Sequence, residues 1–415
     1  VISPLAILKS GDFVTRTRLV LWPGALLVGF VVALAFLAAT ARGFNDYQGR
    51  PLGSDFSDVY TAGRWADQGD AAAAYDPLRQ HIAEQASFGR NTPFYGWHYP
   101  PIFFLIAAPL AQLPYLGALA VWQVATLLAW LAALARLLRD TPAVSNAEGK
   151  IRLLLAVAFP AVFVNLIHGH NGFLTGAFLS GGLALLDTQP LVAGALFGCL
   201  AYKPQFAPLI PLALAVSGRW RALIGASATA LGLAALATVL FGASVWPAFL
   251  ASTHFTRTVV LEQGAAGFEK IQSVFAAVRL LGGPVALAYT AQMIASCVTA
   301  ILLALLWRSD ASRADKGAAL CLAALIATPY AFDYDMMALA PAIALLATQG
   351  IARGFRPYEK SALVLLWFVP ILARASAYAA HVPLGVLSLF AMGAVLMANA
   401  KLFEVPARIR STVSG

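Results

Sequence analysis

The residues in this chain that are able to do chemistry fall in five short blocks. The first is SDFSDVYTAG, Ser54 to Gly63. Asp55 and Asp58 stand at i and i+3, which places both carboxyls on one face if a helix begins there. Such a pair offers a general base. Ser54 or Asp55 could also cap that helix, and capping does not exclude acting as a base. The second block is WHYPP, Trp97 to Pro101. Its prolines fix the direction of the chain, and Trp97 and Tyr99 suit an interfacial aromatic belt, but an anchor has no need of the His98 imidazole. The third is HGHNG, His168 to Gly172. His168, His170 and Asn171 at a helix break would suit a phosphate or a sugar, a structural turn, or a metal. No third or fourth ligand stands at a recognisable spacing, so no metal is assigned.

The fourth block is AYKPQ, Ala201 to Gln205. Lys203 stands nearly alone between apolar runs. A lone cation there needs an anionic partner such as a lipid phosphate, or it snorkels to headgroups. The fifth is TPYAFDYD, Thr328 to Asp335, with Tyr330, Asp333 and Asp335. This acidic pair could bind sugar hydroxyls, bind a cation, or cap a helix.

The elements that must position these blocks are apolar helices. Of 415 residues, 60% are hydrophobic and 11% charged, with a mean hydropathy of +0.75. A soluble domain is about 45–50% apolar and about 25% charged, so a soluble enzyme and a disordered chain are both excluded. Apolar segments recur from 19–41 to 383–400, and the alternating pattern of a membrane barrel is absent. The chain reads as an all-α polytopic membrane protein, one domain over 1–415. Segment 19–41 is too long for a signal-peptide core and reads as a retained first helix. Segment 101–113 is too short to cross a core about 30 Å thick. Treated as a helix that dips in and returns, it leaves twelve crossings. Cys199, Cys297 and Cys321 make no disulfide framework and no zinc spacing.

Alternate connections carry the charge. One set holds 18 basic and 8 acidic residues, or +10, and the other 10 basic and 11 acidic, or −1. By the positive-inside rule the first set and both termini face the cytoplasm. The net charge of +9 is then a topology signal, and no nucleic-acid partner is implied. Two long connections lie outside: 42–98, with short interfacial helices at 56–68 and 77–88, and 243–284, with His254, Arg257, Glu262, Glu269 and Lys270. Loops of this length are uncommon unless functional. All five blocks fall at outer helix ends.

The blocks, in this order, resemble glycosyltransferase family 87, the polyprenol-phosphate-mannose-dependent transferases of the GT-C superfamily. The matching features are Asp55–Gly63, Tyr99–Pro101, Gly169–Gly172, Lys203–Pro204 and Pro329–Asp335. The resemblance implies a GT-C bundle whose active site faces outward in the first long loop, and a lipid-phosphate sugar donor. Asp55 would be the base, with Asp58 behind it. Lys203, His168 or His170, and Arg257 would hold the departing phosphate. Tyr60, His98, Tyr99, Asn171, Gln205, Tyr330, Asp333 and Asp335 complete the expected substrate contacts. His170 departs from the glutamine more usual in its motif. The chemistry agrees: no nucleotide sugar is available outside a bacterial inner membrane, so a transferase there needs a lipid-linked donor. The acceptor would be a lipid or glycan hydroxyl, attacked with inversion, and no cofactor is called for. A secondary transporter or lipid-linked-glycan flippase is the alternative, but its usual inverted repeats are absent from the sequence.

Overall fold

A computed structural model describes residues 3–139 and 146–399. The stretches 140–145 and 400–415, which include the basic C-terminal segment expected inside, lie outside the described residues. Among the described residues every regular element is helical, and the only β-contacts are isolated bridges. Helices satisfy their own backbone groups, as a lipid-facing chain requires.

Among the described residues six helices are long and apolar enough to cross a membrane: Arg16–Thr40, Tyr115–Leu137, Trp220–Phe241, Val285–Arg308, Asp333–Arg353 and Glu359–Ala380. Glu148–Val157 and Pro160–His168 make a seventh if their 40° bend is one broken span. The remaining apolar segments form shorter helices, including Gly172–Leu185, Pro190–Tyr202, Pro204–Val216 and Leu384–Ala398. By length, six or seven described helices can cross unaided, and the expected twelve would need the shorter helices to cross as well. The breaks at His168–Asn171 and Lys203–Pro204 divide continuous apolar sequence into shorter helices.

The first long connection folds back onto this bundle. Its helices are Ser54–Asp67 and Pro77–Phe88, close to the expected 56–68 and 77–88. Helix Ser54–Asp67 buries Phe56, Val59 and Ala62 and packs against Phe104–Ala111. Gly63 makes this possible, because a Cβ there would collide with the Ala107 carbonyl. The apolar stretch Pro101–Ala111 is a short 3₁₀ turn running into a helix. Even fully helical it would span only about 17 Å, so it suits a dipping segment. Trp97, expected in an interfacial belt, is instead 2% exposed and stacked on Phe103 and Phe104.

The two sets of connections collect at opposite ends of the long helices. At one end lie the pairs Arg219–Asp187 (2.6 Å), Arg356–Asp315 (2.7 Å) and Arg353–Glu359 (2.9 Å). Helix Asp333–Arg353 starts at the other end, and Glu359–Ala380 returns there. The second long connection is tied to that end by the Gln272 N–H, which donates to the Ala331 carbonyl (2.6 Å), and by an antiparallel bridge from Ile271 to Phe332.

Candidate active site

The end opposite those ion pairs contains a cavity of about 440 Å³, walled by both long connections and by the helix breaks. Asp55 reaches it from the first turn of helix Ser54–Asp67. The N-cap of that helix is Gly53, with no side-chain cap bond, so neither Ser54 nor Asp55 caps it. Ser54 Oγ instead lies 2.8 Å from His168 Nδ1, and Asp55 Oδ2 stands 3.9 Å from the same nitrogen. The Asp55 side chain keeps 30% exposure to the cavity. Burial raises its pKa, while His168, Lys270, Lys203 and Arg374 pull the other way. Asp58, one turn on, also lines the cavity but is 3% exposed. Its Oδ1 accepts a hydrogen bond from Gln80 Nε2 (2.9 Å).

His98 and Tyr99 join the first loop to the rest of the wall. His98 Nδ1 lies 2.8 Å from Thr256 Oγ1 on the second long connection. Burial lowers the His98 pKa to about 4, so the ring is neutral at physiological pH. Tyr99 Oη lies 3.1 Å from His170 Nε2. His170 is buried and stacks on Tyr334, with ring centroids 3.3 Å apart.

The turn that presents these histidines follows from its sequence. Helix Pro160–His168 stops at Gly169, whose φ of 62° is left-handed, a conformation costly for any residue with a Cβ. Asn165 then locks the break. Its Oδ1 accepts the Gly172 N–H (2.8 Å) and its Nδ2 donates to the Tyr334 carbonyl (3.0 Å). The two histidines thus have separate partners, and among the described residues no three metal-ligating side chains come together.

Lys203 is not isolated. Its Nζ lies 2.5 Å from Asp335 Oδ1, with the two side chains 3% and 1% exposed. The expected anionic partner is therefore an aspartate 132 residues away, which the sequence gives no means of pairing. The other Asp335 oxygen accepts the Phe332 N–H (2.9 Å), and Asp333 Oδ1 accepts the Tyr334 N–H (2.9 Å). Asp335 thus caps this turn as well as forming the ion pair, while Asp333 bonds only the residue next to it.

His98, Tyr99, His168, His170, Lys203, Gln205, Tyr330, Asp333 and Asp335 all line the cavity with Asp55 and Asp58. Three expected residues do not. Tyr60, further along the first helix, donates to the Leu113 carbonyl (2.9 Å). Asn171 is buried behind the turn, 2% exposed. Arg257 is 58% exposed, with Nε 3.5 Å from Glu262 Oε1. Three cations that do line the cavity, Arg50, Lys270 and Arg374, were not among the expected contacts. Arg374 had a signal of its own: it is a cation inside the apolar run 361–377. Lys270 lies in a loop containing other charges, and nothing in its spacing distinguishes it.

No curated protein and no solved structure matches this chain. The family model of glycosyltransferase family 87 matches residues 97–329, more than half of the chain, and takes in the whole of the second, third and fourth blocks. This all-helical membrane chain, with its polar cavity at one end of the bundle, belongs to glycosyltransferase family 87.

Proposed function

We propose that this membrane glycosyltransferase moves a hexose, mannose by its family resemblance, from a polyprenyl-phosphate donor to a hydroxyl of a lipid or glycan acceptor. The observation that carries this reading is Asp55, a partly exposed carboxylate at a cavity wall shared with His168, Lys203, Lys270 and Arg374. The acceptor oxygen attacks the anomeric carbon and gives its proton to Asp55. The bond from that carbon to the phosphate oxygen breaks, and polyprenyl phosphate leaves with the electron pair. The base must stand within about 2.6–3.2 Å of the acceptor hydroxyl, and cations must meet the charge that develops on the phosphate.

Lys203 is already neutralised by Asp335. Among the described residues the cavity cations Arg50, Lys270 and Arg374 form no ion pair, so the phosphate role falls chiefly to these three. Each of Arg50→Ala, Lys270→Ala and Arg374→Ala is expected to weaken donor binding by roughly 10- to 150-fold, the loss of one charge-assisted contact. Titration of donor affinity would check this, and unchanged affinity in all three would remove the phosphate from this wall. The charge split of +10 against −1 supports a cavity facing the periplasm or cell exterior of a bacterial inner membrane. The reading is tested by offering the purified protein a panel of polyprenyl-phosphate and nucleotide sugars, with products read by mass spectrometry. Transfer from the lipid-linked sugars alone is expected, and transfer from the nucleotide sugars would overturn the reading.

A further inference from the structure

At the cavity wall and just behind it lie two carboxyl groups that this mechanism does not use as bases, Asp58 in the lining and Glu84 behind it. Asp58 is 3% exposed, and Glu84, on helix Pro77–Phe88, is 0% exposed. Gln80, one turn before Glu84 on the same face, is also fully buried. Its Nε2 donates to Asp58 Oδ1 (2.9 Å), and its Oε1 is buried with no hydrogen-bond donor. Among the described residues no Lys, Arg or His pairs with either carboxyl. The elements packed on helix Ser54–Asp67 carry Tyr75, Arg79, His81, His168 and Tyr115; Arg79 pairs with Asp70, the His81 ring bonds the Thr92 carbonyl, and Phe104–Ala111 has no titratable side chain. Asp55 adds a further negative charge from the same helix.

Two buried carboxylates without a cation cannot both stay ionised cheaply. The hydrogen bonds indicate which one keeps its charge. Glu84 accepts two backbone N–H groups, from Tyr95 (3.3 Å) and Gly96 (3.4 Å), and such bonds favour a carboxylate. Asp58 has instead a side-chain amide with an orphaned oxygen beside it. We propose that Asp58 and Glu84 share one proton at neutral pH, held on Asp58, where it closes an acid–amide pair with Gln80. The catalytic face then carries the charge of Asp55 alone, and ionised Glu84 fastens the cavity-wall backbone at Tyr95 and Gly96.

Burial moves both groups in the direction this needs. It raises Asp58 well above the carboxylate range, with Glu84 adding to the rise, and it raises Glu84 against the pull of the Tyr95 and Gly96 N–H groups. Both values lie above those of the unfolded chain, so the folded state binds the extra proton. The stabilisation it brings is complete in acid and is lost as pH rises through the raised folded-state value of Asp58. At high pH a second charge also appears one turn from Asp55, facing an anionic donor.

The inference rests on the proposed reaction only for that last consequence, so the test reads the proton directly. Infrared difference spectra of the purified protein at neutral pH should contain a carboxylic-acid C=O band that Asp58→Asn removes and Asp55→Asn does not. Absence of the band, or its survival in Asp58→Asn, would overturn the proposal whether or not any donor is turned over. In Glu84→Gln the band should titrate away at lower pH than in the native protein, because the neighbouring charge is gone. An unchanged or higher titration would also overturn it. Failure of the donor panel alone would sink the proposed reaction and leave this result standing.

Discussion

Asp55→Asn is expected to reduce turnover by about 10²–10⁴-fold, the usual cost of losing a general base, without unfolding the protein. Asparagine has the same size. The helix N-cap is Gly53, and Ser54 rather than Asp55 holds His168, so no cap or close hydrogen bond is lost. What disappears is proton affinity. Turnover under saturating donor, set beside thermal stability in detergent, separates the two effects. Because burial raises the Asp55 pKa, native activity should fall with acid at a pH above the ordinary aspartate range, as the base takes up its proton. Native-like turnover in Asp55→Asn would contradict the assignment. Asp333 would then be the carboxylate to test, since Asp335 is held by Lys203.

The second large effect is on stability. Lys203→Ala should destabilise the protein by about 3–5 kcal/mol, the cost of breaking a buried ion pair and stranding one partner. Asp335 is 1% exposed and would keep only the Phe332 N–H. Lys203 Nζ also lies over the Tyr334 ring, 5.1 Å from its centroid, so its loss loosens the platform on which His170 stacks. The double variant Lys203→Met with Asp335→Asn removes both charges together and should recover much of the loss. Thermal unfolding in detergent distinguishes the outcomes. A Lys203→Ala protein as stable as the native one would mean that the pair contributes nothing and that Lys203 is free to meet a lipid phosphate.

Much of the architecture was legible because the bilayer permits so few solutions. Apolar runs bounded by basic connections read directly as helices with their ends sorted, and polar residues interrupting those runs marked the cavity wall. His168–Asn171 and Lys203–Pro204 stand out for that reason. Run length was a poorer guide. A Gly-His-Asn or Lys-Pro break ends a helix without changing average hydropathy, so hydropathy alone does not tell a full-length helix from a shorter one. Pairing across the chain was not legible at all. Lys203 looks solitary until Asp335 folds beside it, and Gln80 and Glu84 look like ordinary surface residues of an amphipathic helix. Tyr60 and Arg257 show the converse: a motif position and a loop cation that lie outside the cavity lining.

The proposed reaction is a single displacement at the anomeric carbon, with Asp55 activating the acceptor. Its most direct test is the anomeric configuration of the transferred sugar, read by NMR after reaction with a polyprenyl-phosphate donor of known configuration. Direct attack predicts the opposite configuration in the product. The cavity contains other carboxyl groups, Asp58, Asp333 and Asp335, so a double displacement through a covalent glycosyl-enzyme is a real competitor. That route retains configuration, and a product with the donor's own configuration would contradict the account.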